Sequence, residues 1–240
     1  DIALQGQNSL ALLQNMANND ADKKRLAGMA WSTVGRFTLG AFDLIISRTG
    51  YTGERVAFEL FVQPTQAAAL FMALVEAGAQ PCGLASRDST RIEAGLPLYG
   101  HELGGDHAFT AGDAGFGSYV KLWKPFFVGK LAYLAREQKR EAVIARFRMV
   151  NKGVRPPQPG AAVLDRRGSV IGVVTSCSID SEGYQCGQAY LKEEFTTPET
   201  PLMILNMGKE TRLPSAVTLG DRLPIPDAAV VLTRFPVKKK

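Results

Sequence analysis

The sequence predicts an α+β protein: a mixed region of helices and strands over residues 1–140, then an all-β module over residues 141–240. Two observations predict this. Up to residue 140, strand-length apolar runs alternate with helical ones such as Ala67-Ala68-Ala69-Leu70-Phe71-Met72-Ala73-Leu74-Val75. From Glu141 onward, short β-rich runs are separated by turn signals at Pro156-Pro157-Gln158-Pro159-Gly160, Asp165-Arg166-Arg167-Gly168 and Ser181-Glu182-Gly183. Such a module closes as a barrel or packs as a sandwich.

The elements follow in order. Residues 2–6 read as a short strand, and Asn8 or Ser9 as the cap of a helix carrying Leu10, Leu12, Leu13 and Met16. Residues 20–26 are polar and helical. Residues 42–47 and 56–62 are β-branched and aromatic runs of strand length. Between them lies Arg48-Thr49-Gly50-Tyr51-Thr52-Gly53-Glu54, whose glycines accept positive φ, so the unit reads as a hairpin. Pro64 suits the start of the helix at 67–75, and Gly78 its end. Apolar residues ring that helix almost completely, so both its sides are expected to be buried. Ser86 is expected to cap a short helix over residues 87–94 that Gly95 closes. A further helix is expected over residues 131–139. Strands are expected over residues 143–149, 170–175, 187–191, 202–205 and 230–234.

Composition narrows the function. The chain has 240 residues, 45% apolar and 21% charged, which is ordinary for a globular protein with a sizeable core. No apolar run approaches the length of a membrane span. The opening Asp-Ile-Ala-Leu-Gln-Gly lacks the basic-then-apolar pattern of a secretory leader. Three cysteines, Cys82, Cys177 and Cys186, show no metal-type spacing and fit a reducing cytoplasm. The formal charge is +5, and Lys238-Lys239-Lys240 supplies three of those charges. The rest is scattered rather than set among aromatics, which argues against a nucleic-acid binder and leaves a small anionic ligand as the milder explanation.

Candidate chemistry lies in the first region. The 48–54 turn sets an aromatic ring, hydroxyls and charges beside bare backbone; it reads as an ordinary hairpin tip or as a wall for a flat polar ligand. Arg87 and Arg91 share a helix face, where two guanidinium groups need an anion or carboxylates opposite; Asp88, Glu93 and Glu59 are candidates. For Arg91 a solvated surface ion pair is the simpler reading. Arg87, placed in the first turn where the helix dipole disfavours a cation, is the stronger ligand candidate. His101 and His107, near Glu102 and Asp106, match no metal motif, so no metal is expected. Gly112, Gly115 and Gly117 are in the wrong order for a phosphate loop. Cys177 and Cys186 read as buried, structural thiols.

Several stretches together resemble one family. They are Ala3-Leu4-Gln5-Gly6, the Arg-x-Gly-Tyr-Thr-Gly-Glu turn, Phe58-Glu59, the run from Gly83 through Ser86-Arg87-Asp88 to Gly100, Phe127-Val128-Gly129-Lys130, and Gly172-x-Val174-Thr175-Ser176. In this order they resemble the glycine cleavage T-protein family. The resemblance implies a folate-binding α/β region, residues 1–140, followed by a small C-terminal β-barrel, residues 141–240. It implies one-carbon transfer to N5 of tetrahydrofolate, with Tyr51, Glu59 and Arg87 as folate contacts. It also implies a segment ahead of Leu4-Gln5-Gly6, carrying the catalytic aspartate, that these residues do not include; alone, the chain is expected to bind folate weakly and to turn over poorly.

The chain departs from the family pattern at residues 55–57, one longer than the usual turn, at residues 110–119, and at residues 233–237, which lack the usual tyrosines. The donor therefore stays open. An aminomethyltransferase working with a lipoyl carrier protein competes with a demethylase or methyltransferase acting on a methylated sulfur, nitrogen or oxygen compound. A non-catalytic folate-binding accessory protein is a third reading. The Lys-Gly-Cys-Tyr-x-Gly-Gln motif of the family's iron–sulfur assembly relatives, absent at Pro125-Phe126-Phe127-Val128-Gly129-Lys130, counts against it.

Overall fold

The computed structural model describes residues 1–206 and 224–236. The Lys238-Lys239-Lys240 run and Val237 lie outside the described residues. Two compact units make up the chain, Asp1–Arg87 and Asp88–Lys240.

The first unit is built on an antiparallel sheet in the order β1-β4-β3-β2, with β1 at Ile2–Gln5, β2 at Val34–Leu39, β3 at Phe42–Ser47 and β4 at Ala57–Phe61. Alternation along the strands separates two faces. Leu4, Phe37, Leu39, Leu44, Ile46, Phe58 and Leu60 turn inward, onto Leu13 of α1 (Ser9–Met16), Leu26 of α2 (Asp20–Ala27) and Leu70 and Leu74 of α3 (Ala67–Glu76). Each buried side chain of this size contributes about 1.5–3 kcal/mol. The outward face carries Val34, Arg36, Ile45, Glu59 and Phe61. Register sets these in rows: Phe61 opposite Ile45 and Ile45 opposite Arg36; Glu59 opposite Ser47 and Ser47 opposite Val34.

Three local expectations are corrected. Neither Asn8 nor Ser9 caps α1 through its side chain; the Asn8 side chain makes no cap bond, and Ser9 Oγ donates backward to Gly6 O (2.7 Å) and Val56 O (3.1 Å). Helix α3 buries only Leu70 and Leu74, whereas Phe71 and Met72 are 41% and 53% exposed, because a helix lying on a sheet buries only the stripe that faces it. Helix α4 spans Leu84–Glu93, so Ser86 lies inside its first turn rather than capping it. Leu84 and Ala85 are strong helix formers, and the helix winds directly from Gly83. Arg87 consequently already donates its N–H to Gly83 O (3.3 Å).

The second unit closes β5 (Ala142–Met149), β6 (Ala162–Leu164), β7 (Val170–Ile179), β8 (Gln185–Lys192), β9 (Pro201–Leu205) and β10 (Asp227–Leu232) into an antiparallel barrel, ordered β10-β5-β8-β7-β6-β9. Closure rather than a sandwich leaves no edge strand. Phe147, Met149, Val163, Val174, Leu191, Ile204 and Val231 fill its interior. Strand β6 escapes the sequence reading because three residues are too few to show a period. The Asp165 and Asp180 carboxylates each accept two backbone N–H groups and so shape the two expected turns after β6 and β7. Helix α5 covers Lys130–Glu137. No helix among the described residues is long and apolar enough to cross a membrane.

Beside the barrel lies a buried ion pair. Arg91 and Glu102 are both fully buried and bond at 2.7 Å. Arg91 Nε also donates to Asp88 (2.6 Å). Glu102 accepts from Leu98 N (3.0 Å), Thr175 Oγ1 (2.7 Å) and Ser176 Oγ (2.6 Å). Neighbouring residues of a regular strand point to opposite faces. The register shift between Val174 and Ser176 removes that constraint and lets Thr175 and Ser176 reach one carboxylate. The surface-pair reading of Arg91 is thereby replaced: its partner Glu102 comes from a loop whose fold the sequence does not display. Removing one member leaves an uncompensated buried charge, so Arg91→Ala is expected to lower stability by about 3–5 kcal/mol. In urea denaturation, the double variant Arg91→Ala/Glu102→Ala should cost less than the sum of the two single variants.

Candidate functional site

The candidate site is the tip and outward face of the β3–β4 hairpin. Arg48 builds the tip. Its Nη1 donates to Arg55 O (2.9 Å) and Ala57 O (2.8 Å), and its guanidinium lies 4.7 Å from the centre of the Phe58 ring. One arginine therefore ties the two ends of the turn together. The stretch at residues 55–57 is held by Glu54, whose Oε1 accepts the N–H groups of Arg55 (2.7 Å) and Val56 (3.1 Å). Gly53 takes a φ of +81°. A Cβ at Gly50 would stand 2.5 Å from Ala57 Cβ, so only glycine lets the turn fold back on β4.

The three expected folate residues fall as follows. Tyr51 sits at the hairpin tip, 39% exposed. Glu59 lies on the outward face of β4, half-buried, and accepts a hydrogen bond from Thr49 Oγ1 on its Oε2. Thr49 in turn lies 2.6 Å from Ser47 Oγ, so a short relay of hydroxyls orients the carboxylate. Glu59 Oε1 takes no hydrogen bond from the described residues and is open to a ligand donor. Arg87 lies on the exposed side of α4, away from this relay in sequence. Thr49 escapes the sequence reading. Its signal is register: Ser47 is opposite Glu59, and the chain continuing past Ser47 leads Thr49 to the same carboxylate.

Other candidates resolve into structure. Asp113, 1% exposed, accepts from Thr110 N (2.8 Å), Thr110 Oγ1 (2.9 Å) and Arg136 Nε (2.9 Å), which fastens the 110–119 segment to α5. Gly112 lies against the side-chain ends of Glu137 and Arg140. His101 Nδ1 lies 3.3 Å from Thr175 O, and His107 stacks on Phe109. Among the described residues no group of three or more His, Cys, Asp or Glu could hold a metal ion. Burial pushes the Cys177 thiol up to about 12 and raises that of Cys186, so neither is a thiolate nucleophile; Cys82 is exposed.

This combination, a helix-backed antiparallel sheet with a carboxylate on its open face and a closed barrel after it, defines a class. The family model described as the GCVT N-terminal domain matches residues 1–124. The chain belongs to the glycine cleavage T-protein family. Curated relatives include aminomethyltransferases of Streptomyces avermitilis, 39% identical over 83% of this chain and 53% of that protein, and of Halothermothrix orenii, 35% identical over 85% and 56%. The crystal structure of glycine cleavage system aminomethyltransferase T from Bartonella henselae superposes with a TM-score of 0.75 at 26% identity, covering 96% of this chain and 57% of that one. The chain spans about half the length of the curated relatives it matches.

Two outcomes check this geometry. Gly50→Ala forces the turn off Ala57 and is expected to cost roughly 1–3 kcal/mol, read as a lowered urea midpoint. With a thiol reagent at mildly alkaline pH, the folded chain should show one fast-reacting cysteine, abolished by Cys82→Ser; fast labelling of Cys177 would contradict the burial described.

Proposed function

We propose that this chain forms the acceptor side of a tetrahydrofolate-dependent one-carbon transferase, and that the transferase is an aminomethyltransferase of the glycine cleavage type. The observation that carries the reading is Glu59. It is a half-buried carboxylate on an open sheet face, oriented by Thr49, with one oxygen unused. The edge of a pterin offers adjacent N–H donors, which a carboxylate accepts in parallel bonds. Each carboxylate oxygen has two lone pairs, so the Thr49 bond does not prevent this. Tyr51 supplies a ring for packing at the tip of the same hairpin. Arg87 supplies a fixed cation for a ring carbonyl or a carboxylate.

Tetrahydrofolate, when bound, supplies the nucleophilic N5 nitrogen that accepts the one-carbon unit. The residues named here bind and orient; none of them is assigned the catalytic proton transfer. The relatives named aminomethyltransferase support an aminomethyl donor, and with it a lipoyl carrier protein as partner. The division into a folate-binding region, residues 1–140, and a barrel domain, residues 141–240, belongs to the same proposal. So does a cytoplasmic setting, supported by three free cysteines.

Tetrahydrofolate titration followed by tryptophan fluorescence tests the reading. Saturable binding is expected, and Glu59→Gln should weaken it roughly tenfold or more, the loss of a charged hydrogen-bond pair. Unchanged affinity in Glu59→Gln would remove Glu59 from the site, and absence of saturable binding by a full-length protein containing this chain would overturn the folate reading. Mass spectrometry of the folate product separates the donors: a methylene product supports the aminomethyl reading, whereas a methyl product from a methylated compound identifies a demethylase.

A further inference from the structure

We propose that a cleft within the second unit binds an α-amino acid with an apolar side chain, its ammonium group bonded to Asp113 Oδ1 and its carboxylate paired with Lys139. The cleft encloses about 740 Å³ and is lined by Thr110, Asp113, Tyr133, Arg136, Lys139 and Tyr190 among others. It shares no lining residue with the β3–β4 hairpin, so the proposal is independent of the folate reading. Asp113 carries the argument. Its carboxylate is buried, and three donors crowd one oxygen: Thr110 N (2.8 Å), Thr110 Oγ1 (2.9 Å) and Arg136 Nε (2.9 Å) all reach Oδ2. Oδ1 is also buried and accepts no hydrogen bond from the described residues. A buried carboxylate oxygen without a donor is costly, and in the wall of a cleft it is satisfied by a donor from a ligand.

The charges of the cleft decide what kind of donor fits. Arg136 is bonded to Asp113 and to His107 O (3.2 Å). Arg140, also in the wall, is bonded to Glu137 (2.6 Å) and Glu193 (3.4 Å). Lys139 is exposed, and its ammonium group has no partner among the described residues. The wall thus offers one acceptor without a donor and one cation without an anion. A plain amine is repelled by the cations and a plain acid by the Asp113 carboxylate, whereas a molecule carrying both groups satisfies both ends. Ala132 and Ala135 of α5 leave space in the wall, and Tyr133 and Tyr190 supply rings for an apolar side chain. The Tyr190 ring is fixed by packing on Phe109, 4.6 Å between ring centres. Burial pushes both tyrosine hydroxyls up in pKa, with Glu137 adding to this at Tyr133 and Asp113 at Tyr190. Both therefore stay protonated and can donate to a ligand oxygen.

Titration calorimetry on a full-length protein containing this chain tests this with three probes. L-Phenylalanine carries both charged groups, 2-phenylethylamine only the amine and 3-phenylpropionate only the carboxylate. Saturable binding of L-phenylalanine is expected, with each of the other two bound roughly tenfold more weakly or worse. Lys139→Ala, at an exposed position, is expected to weaken L-phenylalanine roughly tenfold without weakening 2-phenylethylamine. Asp113→Asn is expected to weaken L-phenylalanine by at least as much without weakening 3-phenylpropionate, and that retained binding reports a folded variant. Should Asp113→Asn fail to fold, Lys139→Ala and the comparison of the three probes decide the matter. The proposal is overturned if the unaltered protein shows no saturable binding of L-phenylalanine, if the amine or the acid binds as tightly as L-phenylalanine, or if Lys139→Ala leaves its affinity unchanged.

Discussion

The buried pair of Arg91 and Glu102 is the constraint on which the second unit is organised. Neither group meets water, so each must find its bonds inside the protein or the fold loses several kcal/mol. Glu102 meets the requirement with four donors: Arg91, Leu98 N and the Thr175 and Ser176 hydroxyls. Those donors come from α4, from the loop after it and from β7. The irregularity in β7 is the structural cost of delivering two neighbouring hydroxyls to one place. Arg146 reinforces the junction by donating from the barrel to Ile92 O (3.1 Å) and Thr233 O (2.9 Å), a cation set at the C-terminal end of α4 where its dipole is negative. Gly95 follows with a φ of +75° and the Arg234 carbonyl packed against it, leaving no room for a side chain.

In the first unit the division of labour runs between the two faces of a single sheet. The inward face and three helices supply cohesion, and they hold the strands in a register that the outward face exploits. Glu59 is aimed by its place in that register rather than by any local motif. Arg48 shows the same economy at the hairpin tip. Its charge is spent on two backbone carbonyls and an aromatic ring.

The stretches that carry the family resemblance therefore split into two groups. Arg91, Gly95, Thr175 and Ser176 are accounted for by burial and by hydrogen bonds within the protein. Tyr51, Glu59 and Arg87 lie on surfaces, and the inward core does not call for them. The functional reading rests on Glu59, a half-buried carboxylate on the open face of the sheet.

Much of this was legible beforehand. Strand-length runs of β-branched and aromatic residues placed β3 and β4, alternation placed β5, turn signals bounded most other barrel strands, and glycine pairs marked the hairpin, because these signals are local. Helix starts were less so: α4 begins earlier than Ser86 suggests, since helix propensity at Leu84 and Ala85 outweighs a nearby capping side chain. Partnerships across long sequence distances were not legible at all. The sequence shows Arg91 as one of two like charges on a helix face; only folding reveals that Glu102, Thr175 and Ser176 converge on it, because burial and pairing are properties of the assembled structure.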